Sequence, residues 1–145
     1  MSRLGLLLFC VLAALIVPAA ADDLIEPGQW KVTSNTVMNG AAMQRTVKDR
    51  CLSAEQVGDL AKTFGPSIGT VNSTCEPAEL GTAGRLLKWR LRCRGQMDME
   101  VFGTFDFNSP VHYTATVTSK AWMAGSLMSD VKTELEGERV GACQP

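Results

Sequence analysis

A strict alternation of apolar and basic side chains is the feature that most limits how this chain can fold. It runs from residue 87 to residue 94, with Leu87, Trp89, Leu91 and Cys93 at the odd positions and Lys88, Arg90, Arg92 and Arg94 at the even ones. Successive side chains of a β-strand point to opposite faces, so the pattern predicts a strand with one buried and one solvated face. A one-residue slip would turn the apolar set outward, so the face of this strand is well specified.

The segment that follows continues the alternation and predicts a hairpin. One face of residues 97–107 carries apolar side chains, with Phe102 as an exception on the other face: Met97, Met99, Val101, Phe105 and Phe107. We expect residues 94–96 to form the loop, with Gly95 free to adopt a positive φ. Arg92 would then lie opposite Asp98. Arg90 would lie opposite Glu100.

Further turns predict that hairpins continue along the chain. A turn at residues 108–110 would set Phe105 opposite Tyr113. Asn39 and Gly40 have the turn chemistry to join extended runs at 29–38 and 43–50. A last strand is predicted over about 127–138, and the segment before it, 122–126, could be a loop.

One helix is predicted, over about residues 53–63. Ser53 followed three residues later by Gln56 is a capping-box pattern, and Gly65 with Pro66 ends the helical spacing. We therefore expect a mainly β fold. It would be an antiparallel meander of about seven strands, forming a curved sheet or a partly closed barrel, with the helix over one opening. A β-sandwich is the alternative.

The first 21 residues have the three parts of a secretory signal peptide. Arg3 precedes an apolar run over residues 4–17, and small residues end at Ala21, directly before Asp22. The run is shorter than the roughly 20 residues that a membrane-spanning helix needs. We expect cleavage after Ala21, no transmembrane anchor after cleavage, and a periplasmic or secreted protein. Residues 22–145 would form a single domain.

The charge balance argues against a polyanionic partner. The whole chain has 14 basic and 15 acidic side chains, and removal of the predicted signal peptide takes away one of the basic residues, Arg3. A nucleic-acid-binding domain normally has a marked basic excess. We therefore expect no nucleic-acid partner.

Four cysteines follow the predicted cleavage site: Cys51, Cys75, Cys93 and Cys143. In an exported chain such cysteines are expected to form structural disulfides, and four cysteines allow three pairings. Cys75 and Cys93 flank a hairpin whose turn lies near residues 81–84, which favours pairing between them. Cys51 would then pair with Cys143 by elimination.

Several short features, in this order and spacing, resemble one family of small exported bacterial proteins, the domain of unknown function 3617. The features are Pro27, Gly28 and Trp30, Cys51 followed by Leu52, a lone Cys75, Trp89 four residues before Cys93, and a final Gly137, Arg139, Gly141 and Cys143. The resemblance spans nearly the whole predicted mature chain and implies a periplasmic bacterial protein. It implies no activity, because the family has none established. Family members often have a Tyr-x-Gly step where this chain has Tyr113, Thr114 and Ala115.

Residues with catalytic potential are sparse, and we expect no enzyme. His112 is the only histidine, and it falls on the predicted outer face of a strand, where an exposed histidine is the simpler interpretation. Asp98 and Glu100 are better explained as partners of the arginines than as an acid and base pair. Met97 and Met99 are soft donors suited to Cu(I), but they fall on the predicted inner face. We expect no metal and no cofactor.

The sequence favours a noncatalytic binding or interaction module of the cell envelope with an unknown partner. The alternative is a lipocalin-like carrier whose interior holds a small apolar ligand, lined by Trp30, Trp89, Met97, Met99, Phe105 and Tyr113. An apolar cavity of roughly 300 Å³ or more would favour the carrier. A third hypothesis is docking of an anionic partner to the basic stripe, which we define as Lys88, Arg90, Arg92 and Arg94.

Overall fold

The computed structural model describes residues 24–67 and 73–144. The strands in these ranges are β1 (Gly28–Met38), β2 (Ala41–Ala42), β3 (Thr46–Leu52), β4 (Ser73–Ala83), β5 (Leu86–Gly95), β6 (Asp98–Ser109), β7 (His112–Met123) and β8 (Ser126–Gly141). Two short helices, α1 (Ala54–Gly58) and α2 (Leu60–Phe64), lie between β3 and β4. The predicted signal peptide, residues 1–21, lies outside the described residues.

All eight described strands belong to one antiparallel sheet. Its order is β2-β1-β8-β7-β6-β5-β4, and β3 pairs with β1 on the same side as β2. In the part of the chain that is described, β4 forms one edge and β2 with β3 the other, so the sheet does not close. The predicted antiparallel meander and curved sheet are confirmed, and the second predicted strand is divided into β2 and β3.

Two tight turns have the same backbone geometry. Asn39 and Gly40 have φ values of 49° and 82°, as the predicted Asn-Gly turn requires. Ala124 and Gly125 repeat this with φ values of 47° and 80°. This second turn joins β7 directly to β8, so residues 122–126, which the sequence allowed as a loop, are a tight turn flanked by strand residues.

The register between β5 and β6 differs by two residues from the predicted one, which was wrong. Arg92 lies opposite Glu100 rather than Asp98, and Arg90 lies opposite Phe102 rather than Glu100. The faces stay the same, because a shift of two residues preserves the alternation.

Gly103 explains this register. It lies opposite Trp89, and a Cβ at this position would overlap the indole ring. Only a residue without a side chain lets the ring lie across the neighbouring strand.

A second shift of two residues occurs between β6 and β7. Phe105 lies opposite Ala115 rather than Tyr113, so this predicted pair was also wrong. On the other side of β7, Tyr113 lies beside Gly137 of β8, where a Cβ would overlap the phenol ring. An aromatic ring therefore covers a glycine on the neighbouring strand at two places in the sheet.

Gly103→Ala is expected to lower the free energy of unfolding by about 2–3 kcal/mol, because the new methyl group must displace a packed ring. The indole cannot easily move, since Trp89 Nε1 donates a hydrogen bond of 2.9 Å to the Phe64 carbonyl. Chemical denaturation measures the loss. Gly81→Ala is the matched control in β4, where a Cβ would meet nothing within 4 Å, and we expect a change within about 0.5 kcal/mol. Equal losses in the two variants would contradict this account of Gly103.

The hydrophobic core lies where the helices cover the inner face of the sheet. It contains Ile25, Trp30, Leu52, Val57, Phe64, Leu87, Trp89, Phe105, Phe107, Tyr113 and Ala115. Trp30 is fully buried, and its Nε1 donates a hydrogen bond to the Glu26 carbonyl. Val57 and Phe64 bring α1 and α2 into this core.

The helical segment begins as predicted but is interrupted. Ser53 and Gln56 form the expected capping box. Asp59 leaves the helical conformation, with φ −131° and ψ 78°, and its side chain accepts a hydrogen bond from the Lys62 N–H. Gly58 and Asp59 both favour a break, because glycine has low helix propensity and aspartate competes for backbone N–H groups. The single helix predicted over 53–63 is therefore two short helices.

Candidate functional site

A cavity of about 500 Å³ opens on the inner face of the sheet beside Phe64. We call it the Phe64 cavity. Six apolar side chains contribute to its wall: Val32, Phe64, Trp89, Phe105, Tyr113 and Leu135. Two basic side chains, Lys48 and Arg50, also line it, together with Asp49. The cavity therefore combines an apolar surface with a positively charged border.

The aromatic–glycine pairs shape the floor of the Phe64 cavity. Trp89 and Tyr113 lie over Gly103 and Gly137, so their rings pack flat against neighbouring backbone instead of standing away from the sheet. The Phe64 ring packs against the Tyr113 ring with their centroids 5.2 Å apart. The end of α2 thus fills one part of the concave face and leaves the rest open.

Arg50 is fixed at the cavity by two contacts. Its Nη2 donates a hydrogen bond of 3.3 Å to the Thr63 carbonyl, and its guanidinium lies 5.2 Å from the centroid of the Phe64 ring. The contact with an aromatic face is favourable for a cation. Arg50 therefore joins β3 to α2 and holds a positive charge beside an apolar surface.

Tyr113 provides a polar group inside this apolar surface. Burial raises the pKa of the Tyr113 phenol, and the positive charge of Arg50 partly opposes this rise. The phenol is therefore neutral at ordinary pH and can donate a hydrogen bond. No hydrogen bond joins its hydroxyl to another described residue, and this oxygen is not among the buried polar atoms that lack a partner, although the residue as a whole is 3 % exposed. The hydroxyl therefore remains accessible at the cavity surface and is available to a ligand.

The structure brings together only part of the predicted pocket lining. Trp89, Phe105 and Tyr113 line the Phe64 cavity, and Trp30 lies fully buried beside them, with its ring centroid 5.5 Å from that of Tyr113. Met97 and Met99 are not brought to this cavity. Met97 is 41 % exposed beside the β5–β6 turn. Met99 lines a different cavity with Trp122.

Sequence reasoning missed several residues of the Phe64 cavity. Leu135 and Val32 lie on inner faces of alternating strands, so the alternation alone could have indicated them. Phe64 could be recognised as an apolar residue of the helix but not as a cavity wall. Arg50 had no signal in the sequence, because its position depends on the contact with Thr63.

The cysteines pair as the hairpin argument favours. Cys75 and Cys93 lie opposite each other on β4 and β5 and are bonded. Cys51, at the end of β3, is bonded to Cys143, which follows β8, with a Cα–Cα distance of 5.5 Å. The second bond joins one edge of the sheet to the C-terminal end of the described chain.

Three members of the basic stripe face carboxylates. The nitrogen–oxygen distances are 3.6 Å for Arg90–Glu79, 3.0 Å for Arg92–Glu100 and 3.0 Å for Arg94–Asp98. Lys88 has no ion pair among the described residues. Because the ion pairs neutralise most of the stripe, it offers a docking anion little net attraction. Docking at this stripe stays a prediction.

His112 lies on the outer face, away from the Phe64 cavity. Its Nδ1 is 2.7 Å from Asn108 Oδ1, and its Nε2 is 3.0 Å from Glu136 Oε1. The predicted exposed strand histidine is thus half-buried and held by two neighbours.

In the described ranges, we find no helix that is both long enough and apolar enough to cross a lipid bilayer. The family model described as "Protein of unknown function (DUF3617)" matches residues 25–143. The chain belongs to this family, which confirms the resemblance seen in the sequence. No curated protein and no solved structure matches the chain.

Proposed function

We propose that this protein is a noncatalytic binding module that acts outside the cytosol and holds a small amphipathic ligand in the Phe64 cavity. The observation that supports this most is the volume of about 500 Å³ over an apolar wall, which exceeds the roughly 300 Å³ typical of the smallest ligand sites. The carrier alternative is therefore favoured over a surface that only docks a partner. The two disulfides are compatible with an oxidising compartment.

The polar groups at the Phe64 cavity favour a ligand with a negatively charged end. Arg50 and Lys48 outnumber Asp49 among the charged residues that line it. The neutral Tyr113 hydroxyl can donate a hydrogen bond to an oxygen of the ligand. An alkyl chain with a carboxylate matches both features, because its apolar part covers the aromatic wall while its head meets the guanidinium.

Dodecanoate is a suitable probe for this proposal. The purified protein, with its disulfides intact, is titrated with dodecanoate and with dodecanol by calorimetry, and tryptophan fluorescence gives a second readout because Trp89 lines the cavity. We expect saturable binding with one ligand per chain. Absence of binding by both probes would overturn the proposed function.

Leu135→Trp is expected to weaken dodecanoate binding by at least about tenfold, equivalent to about 1.4 kcal/mol, because the larger side chain fills the cavity. Leu135 is half-buried and lines the Phe64 cavity. Leu127→Trp is the matched control on the same strand, since Leu127 is 52 % exposed and does not line the cavity. Circular dichroism and thermal unfolding check that both variants fold. Equal binding by the two folded variants would place the ligand elsewhere.

A further inference from the structure

We propose that His112, Glu136 and Glu138 form a binding site for one divalent transition-metal ion of the zinc class. The site lies on the outer face of the sheet, where β7 and β8 run side by side. It is separate from the Phe64 cavity and does not depend on the function proposed for that cavity.

The sheet register brings the three side chains together. His112 lies directly opposite Glu138, and Glu136 is two residues along β8 on the same face. One ligand atom from each residue lies within 4.8 Å of the others. Zinc takes nitrogen and oxygen ligands at about 2.0–2.2 Å, so small carboxylate rotations would bring all three atoms to one ion.

The orientation of His112 is the strongest part of the geometry. Asn108 Oδ1 accepts a hydrogen bond of 2.7 Å from Nδ1–H, which directs Nε2 at Glu136 Oε1, 3.0 Å away. A proton on Nε2 makes this contact an ion pair, and a metal ion that displaces the proton would bind between the same two atoms. A histidine that binds metal through one nitrogen commonly donates its other N–H to an oxygen, as His112 does to Asn108.

Glu138 supplies a carboxylate that the protein itself does not satisfy. It forms no hydrogen bond or ion pair with any other described side chain, and Glu136 carries a second negative charge on the same face. Lys31 lies opposite Glu138 on β1 but forms no ion pair with it among the described residues. A divalent cation between the two carboxylates would relieve their repulsion.

The ligand set selects the class of ion. One imidazole nitrogen with two carboxylate oxygens suits zinc and neighbouring transition metals, whereas magnesium and calcium prefer oxygen ligands alone. Three protein ligands leave a fourth tetrahedral position for water or for another molecule. The proposed site would therefore keep one coordination position accessible from solvent.

Zinc chloride added to the untagged, metal-free protein tests this proposal. We expect calorimetry to show one zinc ion per chain and much weaker binding of magnesium. His112 is the only histidine, so its imidazole signals in nuclear magnetic resonance report on the site directly. These signals should shift on addition of zinc. Absence of zinc binding, or binding that leaves the imidazole signals unchanged, would overturn the proposal.

Variants separate a defined site from general attraction to acidic groups. His112→Ala and Glu138→Gln should each remove measurable zinc binding, while Asn108→Ala should weaken it by about tenfold. Glu134→Gln is the matched control: it removes the same charge from the same face of β8, where Glu134 pairs with Lys132 at 2.7 Å. We expect it to bind zinc like the parent protein. Equal weakening by Glu134→Gln and Glu138→Gln would overturn the proposal.

Discussion

Replacement of both Cys51 and Cys143 by serine is expected to lower the free energy of unfolding by about 4–5 kcal/mol. The two residues are 92 positions apart, and a crosslink that closes so long a loop removes much conformational freedom from the unfolded chain. Replacement of Cys75 and Cys93 by alanine should cost about 3 kcal/mol, because that bond closes a separation of only 18 residues. Urea denaturation under oxidising conditions measures both.

The position of the long crosslink adds a structural reason for its larger effect. Gln29 of β1 lies between Cys51 of β3 and Gly141 of β8, so the bond to Cys143 ties the strands on either side of β1 together. Among the described strands, β3 is an edge strand that pairs only with β1, and the helices follow it. Without the bond we expect this edge to open first, which hydrogen exchange of the β3 amides would detect. A smaller loss for the Cys51–Cys143 pair than for the Cys75–Cys93 pair would contradict both arguments.

The faces of the strands could be predicted from the sequence, but their registers could not. Alternation has a period of two residues. A register shift of one residue therefore reverses the two faces and can be recognised, whereas a shift of two leaves the faces unchanged and cannot. Both wrong registers, β5–β6 and β6–β7, are shifts of two. The fit of Trp89 over Gly103 sets the β5–β6 register, and it appears only when the two strands are placed side by side.

The lining of the Phe64 cavity shows a second limit of the alternation pattern, which does not indicate where along a strand a residue is covered. Met99 and Phe105 share the inner face of β6, so the sequence places both in one lining. The helices cover only one part of that face, and Phe105 lies under them while Met99 lies near the other end, opposite Cys93. Alternation indicates the side of a sheet on which a residue lies, but not what covers it.

Phe64→Ala is expected to lower the free energy of unfolding by about 3–5 kcal/mol, as for other buried aromatic residues. Phe64 is 5 % exposed, and its ring centroid lies 5.4 Å from that of Phe105 and 5.3 Å from that of Phe107. Its backbone carbonyl also accepts the hydrogen bond from Trp89 Nε1. Removal of the ring takes away the contact through which α2 packs on the sheet.

Phe102→Ala provides the matched control for this prediction. Phe102 is half-buried on the outer face of β6, where the Arg90 guanidinium lies 5.7 Å from its ring centroid, and we expect its loss to cost about 1 kcal/mol. Urea denaturation of both variants gives the two free energies. If Phe64→Ala costs no more than Phe102→Ala, the helical segment does not depend on Phe64 for its position. The position of the cavity wall would then have to depend on contacts other than those of the Phe64 ring, which forms part of that wall.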